Sequence, residues 1–267
     1  MSAATQGLER ARRIAEAIAG LPGVVAASLG GSTGMGLADA SSDLDLHVYW
    51  RGELARAGER AASIGKVADE GSVVPDVRFW GLEDHFHIDG QLAELVYVNL
   101  DDLLADVARA YGEGIGGEGF VTAQFFYVTN SVLVLDPTGE VEALRARLLA
   151  GYPEPTRRLL LRDNPFLMRY YLNHVRQAQG RGDLLFVQHR RYAVQMVFFN
   201  LLFALNRRYH PGEKRLLMHG AACDVAPRDL AARWAENARL AADDPALPAS
   251  LGALVEELCQ LAEVAYE

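Results

Sequence analysis

The chain has 267 residues, of which 50% are hydrophobic and 23% charged, so it has the length and composition of a globular protein with one large domain or two modest ones. A net charge of -9 disfavours nonspecific binding to nucleic-acid backbones and suits a cationic small molecule better. Two cysteines, Cys223 and Cys259, lie far apart without ligand spacing, which points away from a disulfide scaffold and towards reduced thiols in the cytoplasm.

The first element is an amphipathic helix. Leu8, Ala11, Ile14, Ala15 and Ile18 recur at helical spacing, and the stretch lacks the continuous apolar core of a signal peptide. Val24–Leu29 reads as a short apolar strand and Leu44–Trp50 as a second, with period-two alternation. A helix is expected over Glu53–Glu70 and a third strand over Asp76–Trp80. Two further apolar runs flank Asp89-Gly90, a strong hairpin signal. "LDDLLADVARAYG" opens with acids and closes on a glycine, as helices do.

Composition changes at "GYPEPT", Gly151 to Thr156, and no strand is expected beyond it. Asn164 and Pro165 read as an N-cap and first helical residue of a helix that stops at Gly180. A second helix runs from Asp183 and is apolar on nearly every face between Tyr192 and Leu205, which predicts a surrounded core helix. That run is too short to span a bilayer. The expected architecture is α+β: a domain with a mixed sheet and helices over 1–152, then an all-α domain over 153–267.

One stretch does not read as a plain loop. "GGSTGMGLADASSDLDLHVYW" holds Gly31-Ser32, then Gly36, then Ser42-Asp43-Leu44-Asp45 at the head of a strand. This spacing resembles the signature of the DNA polymerase β-like nucleotidyltransferase superfamily: glycine-serine, a glycine-containing turn, and aspartate-x-aspartate on a strand. The motif covers about fifteen residues and every fixed position is filled. The chemistry suits the residue types. Glycines let backbone amides approach an anion, and Ser32 adds a hydroxyl donor. Asp43 and Asp45, two apart on a strand, share a face with His47 and Tyr49, while Leu44, Leu46, Val48 and Trp50 share the other. Two such carboxylates repel unless a cation joins them, and Mg²⁺ takes carboxylates, phosphate oxygens and water.

The resemblance implies a third carboxylate on a neighbouring strand. Glu94, a lone acid within the apolar run "QLAELVYV", is the best candidate, with Asp76 as rival. His85 and His87 form a His-x-His pair, which without further ligands reads as exposed strand histidines. With three acids as metal ligands the implied mechanism uses two Mg²⁺ ions and an in-line displacement at the α-phosphorus of ATP or another nucleoside triphosphate. Gly31, Ser32, Gly36 and Ser42 would contact the nucleotide.

A minimal domain of this kind followed by helices is similar to the kanamycin- and lincosamide-type antibiotic nucleotidyltransferases, whose helical domain binds the acceptor. Tyr209, Gly212 and Lys214 match a tyrosine-x-x-glycine-x-lysine stretch in that group, which implies that Lys214 reaches the triphosphate. The acceptor implied is a small hydroxylated molecule. Asp163, Asp183 and Glu213 are acids at helix ends, and Gln195 and Asn200 are amides in the core helix, none singled out as acceptor ligands. The alternatives are transfer to a protein or an RNA end, or a fusion to a HEPN-type ribonuclease domain, for which Arg169 and His174 have the arginine–histidine spacing.

Overall fold

The computed structural model of the protein describes residues 3–36, 42–79 and 81–266. In chain order the elements are α1 (Ala3–Ile18), β1 (Val24–Leu29), α2 (Gly31–Gly34), β2 (Leu44–Trp50), α3 (Ala57–Ile64), β3 (Val74–Val77), β4 (Leu82–Ile88), β5 (Gln91–Asn99), α4 (Leu100–Gly112), α5 (Ala123–Asn130), β6 (Val132–Leu135), α6 (Glu140–Leu149), α7 (Glu154–Gly180), α8 (Leu184–Leu205), α9 (Leu216–Ala221), α10 (Leu230–Arg239) and α11 (Leu247–Tyr266). The class is α+β, and no described strand lies beyond Leu135. By contacts the chain divides into two units, 1–106 with 127–150, and 107–126 with 151–267. The segment 107–126 therefore groups with the helices, an exchange that no composition change marks.

The first unit is a six-stranded mixed sheet in the order β3-β4-β5-β2-β1-β6. Strands β2 and β5 are parallel, and the other neighbours are antiparallel. Strict alternation sorts its side chains. Leu44, Leu46 and Val48 of β2, Ala93 and Leu95 of β5, and Phe86 and Ile88 of β4 lie on one face and are sealed by Ala11, Ile14 and Ile18 of α1. Each fully buried leucine, isoleucine, valine or phenylalanine of this set is worth roughly 1.5–3 kcal/mol. The hairpin turn falls at Asp89-Gly90, with φ of 50° and 77°, the left-handed pair that a two-residue type I′ turn requires.

Three elements differ from the pattern read in the sequence. Helix α3 covers only 57–64 of the expected 53–70: Arg56 stands at its N-cap, its amide donating to the Glu59 carboxylate at 2.9 Å, and Gly65 at its C-cap. Strand β3 ends at Val77, and Trp80 lies outside the described residues. Helix α7 starts at Glu154, so Asn164 and Pro165 sit inside it rather than at its head. The true start is the Pro153–Pro155 stretch, with proline in the first turn. Pro165 forfeits one intrahelical bond, and Asn164 instead sends its side-chain amide to the Val197 carbonyl of α8, 3.1 Å away.

The second unit is built around α8, where every residue from Ala193 to Leu205 except Gln195 is buried. Asp183 caps this helix by accepting from the Phe186 amide at 3.2 Å. Asn200 is a core amide used for structure: it donates to the Gly119 carbonyl at 2.7 Å and accepts from the Val121 amide at 3.2 Å. Both cysteines are free thiols; Cys259 is buried and Cys223 half-buried. No helix among the described residues is long and apolar enough to cross a membrane.

Candidate metal and nucleotide site

The polar face of β2 begins with Asp45 and continues through His47 to Tyr49. The last two are buried. His47 stacks on Tyr127 with ring centroids 5.2 Å apart, and Tyr49 places its hydroxyl 3.4 Å from that of Ser28. Burial pushes the His47 imidazole down to about 4. The acid end of the same face is only half-buried, because Asp43 and Asp45 stand where the strand emerges from the sheet.

Parallel pairing of β2 with β5 sets Asp45 directly beside Glu94. Asp43, Asp45 and Glu94 each offer a carboxylate oxygen, and the three atoms all lie within 4.8 Å of one another. All three residues are half-buried. Oxygen-only donors at this separation suit a hard divalent cation. The rival acid is elsewhere: Asp76 pairs with Arg60 at 2.6 Å, and Arg60 also grips the fully buried Asp84 at 2.8 Å. That network ties α3 to β3 and β4 and explains why Asp76 adopts a positive φ at a strand irregularity.

The glycine-rich turn is anchored against the acids. The Gly30 amide donates to the Asp45 carbonyl at 2.7 Å, and the Thr33 hydroxyl donates to the Asp43 carbonyl at 3.3 Å. Gly31 has φ +56°, and a Cβ there would overlap the Asp45 carboxylate. A side chain at that position would strain the left-handed backbone and push the Asp45 carboxylate aside. Ser32 lies on the short helix α2, half-buried, and Gly36 is exposed at its end. Ser42 is held by its carbonyl, which accepts from the Gln91 side chain at 2.7 Å; Gln91 in turn accepts from Arg10 at 2.9 Å.

His85 departs from the reading as an exposed strand histidine. It is half-buried, faces Glu94 across the β4–β5 pair, and donates from Nε2 to the buried Glu83 carboxylate at 2.8 Å. His87, two residues on, is exposed as expected.

In the second unit Lys214 is exposed on the turn before α9. Its flanking motif is ordered by packing: Tyr209 stacks on Tyr152, and the Gly212 amide donates to Nδ1 of His210 at 3.1 Å. Burial holds that imidazole down at about 3. Arg169 is engaged with Glu256 at 2.9 Å and Glu263 at 3.1 Å on α11, and His174 packs edge-on to Tyr170. Asp163 pairs with the adjacent Arg162, and Glu213 is exposed.

Comparison with known proteins gives two likenesses. Residues 120–216 match the model of a domain of unknown function, DUF4037. That stretch is less than half the chain; it includes Tyr209, Gly212 and Lys214 and none of the three clustered acids. Among solved structures the chain is similar to a nucleotidyltransferase-like protein from Exiguobacterium sibiricum 255-15, at 12% identity and a TM-score of 0.47, over 96% of this chain and 74% of that one. No curated protein matches.

Proposed function

We propose that the protein is a Mg²⁺-dependent nucleotidyltransferase that moves AMP from ATP to a hydroxyl group of a small molecule and releases pyrophosphate. The observation that carries this reading is the convergence of Asp43, Asp45 and Glu94 on one point of the sheet's polar face. Divalent ions bound there would neutralise charge on the attacking and leaving oxygens of an in-line displacement. The protein's own part is positional. Asp45 and Glu94 are locked side by side by strand register, and Asp43 is tied to the glycine turn through Thr33. The turn itself, from Gly31 through Ser32, is drawn against Asp45 by the Gly30 amide, which suits it to hold the triphosphate next to the acids. The acceptor oxygen forms the new bond to the α-phosphorus as the bond to the pyrophosphate oxygen breaks, and the hydroxyl proton passes to water.

The negative net charge favours a cationic acceptor, and the antibiotic-type resemblance in the sequence suggests a hydroxylated antibiotic. Lys214 is assigned to the triphosphate on that same resemblance. The test is incubation of the protein with Mg²⁺ and α-labelled ATP, together with a panel of hydroxylated aminoglycosides and lincosamides. Label should transfer to an acceptor with stoichiometric pyrophosphate release. Asp45→Asn should abolish transfer and leave the circular-dichroism spectrum unchanged. Turnover by that variant at the wild-type rate would remove the three acids from the mechanism.

A further inference from the structure

Glu83 poses a question that the three-acid cluster does not answer. It is a carboxylate only 3% exposed, on a strand, on the same face as Glu94. Burying an ionised carboxylate is costly unless it is hydrogen-bonded or paired. One of its partners is Nε2 of His85, which donates at 2.8 Å. The same nitrogen lies 4.0 Å from Oε1 of Glu94, beyond hydrogen-bond length and within electrostatic reach. His85 is paired directly across the hairpin from Glu94, so backbone register holds the imidazole at that place.

Resting on the metal reading proposed above, we infer that His85, held by Glu83, is a positioning residue for Glu94. Three carboxylate oxygens within 4.8 Å repel one another, and Glu94 is the one on the neighbouring strand. The polarised N–H edge of His85 stands beside Glu94 on β4, the strand on the far side of β5 from β2, and offsets part of that repulsion. Glu83 fixes the tautomer: while its carboxylate is the acceptor, the hydrogen stays on Nε2, between the two acids. Metal-binding carboxylates are commonly supported by such outer contacts, whose loss loosens the ion by about 10–100-fold.

The experiment is Mn²⁺ binding, read by electron paramagnetic resonance of the free ion, on the whole chain without nucleotide. The variants are His85→Ala, His85→Gln, Glu83→Gln and His87→Ala. His85→Ala should weaken Mn²⁺ about tenfold. His85→Gln, which places an amide N–H₂ where Nε2 lies, should bind within about threefold of wild type. Glu83→Gln can either accept from Nε2 or donate to it, so it no longer fixes the tautomer; it should weaken binding, by less than His85→Ala does. His87→Ala, on the same strand but exposed, should bind as wild type. Wild-type affinity in both His85→Ala and Glu83→Gln would overturn the inference while leaving the acid cluster intact. Equal weakening in His87→Ala, or no rescue by glutamine, would also overturn it, because the strand would then be acting only as structure. No Mn²⁺ binding by the wild-type chain at millimolar ion would reject the metal reading itself.

Discussion

At Gly31 the Asp45 carboxylate occupies the space that a Cβ would take. Gly31→Ala must therefore strain a left-handed backbone, at about 1–2 kcal/mol, and displace a proposed metal ligand. Misplacing a reactive group by about 1 Å costs on the order of a hundredfold in rate. The expected outcome is a folded protein with transfer reduced by that order, measured with the labelled-ATP assay; an unchanged rate would show that the turn tolerates the shift. His47 offers a different handle, since burial pushes its imidazole down to about 4 from the usual 6.5. Below pH 6.5 the unfolded chain gains a proton that the folded chain refuses, so stability should fall as pH drops from 6.5 towards 4, by up to about 3 kcal/mol from this residue. His47→Phe keeps a ring against Tyr127 and should flatten that slope in urea titrations at pH 4.5, 5.5 and 6.5. Glu94 was legible because an acid inside an apolar strand has to be explained. The role of Glu83 and His85 was legible only by counting: from a two-residue turn at Asp89-Gly90, Ile88 pairs with Gln91, and three steps back His85 pairs with Glu94. The reading of His85 as an exposed strand histidine fails because its hydrogen-bond partner, Glu83, is two residues back on the same strand face and Glu94 stands across the hairpin.

At the level of elements, α3 is fastened to β4 by Arg60, 3% exposed, whose guanidinium donates to both oxygens of the fully buried Asp84 while Tyr97 donates to the same carboxylate at 2.8 Å. Removing one partner of a buried pair leaves an uncompensated charge. Arg60→Ala should lower unfolding stability by about 3–5 kcal/mol, seen as a shifted urea midpoint. A loss under about 1 kcal/mol would mean that water replaces the guanidinium. Elements with strict alternation and clear turns, such as β1, β2 and the β4–β5 hairpin, match their sequence patterns because both strand faces and the turn are locally coded. Strand β6 and helices α5 and α6 went unread. Val132–Leu135 is four apolar residues without alternation, too short for periodicity to register, and it becomes a strand by pairing with β1. Helix α7 shows the opposite failure: Asn-Pro is a good local start signal, overruled by packing against α8.

For the whole chain, each unit has a hydrophobic core of its own, one under the sheet and one around α8. A ligand of the acid cluster should therefore stabilise the first unit directly. At a Mn²⁺ concentration 100 times Kd the gain is about 2.7 kcal/mol for one site. Hydrogen exchange with and without Mn²⁺ should show added protection in β2 and β5, absent in Asp45→Asn. Added protection confined to 151–266 would place the ion elsewhere. The division into units was the least legible feature of all, since the stretch 107–126 joins the helices through contacts such as those of Asn200 with Gly119 and Val121, which have no local sequence signature.

The parallel pairing of β2 and β5 has a consequence for the order of folding. Parallel neighbours cannot be joined by a tight turn, so Asp45 and Glu94 meet only after about fifty residues of intervening chain have been closed into a loop, with its entropy already lost. Helix α1 and the β4–β5 hairpin are local and can form early; the acid cluster cannot. It comes into being when the two halves of the sheet come into register, and a slip of one residue would turn Glu94 to the apolar face. Competence to hold an ion would thus be a late-acquired property of this chain, and an internal report that its sheet has assembled correctly.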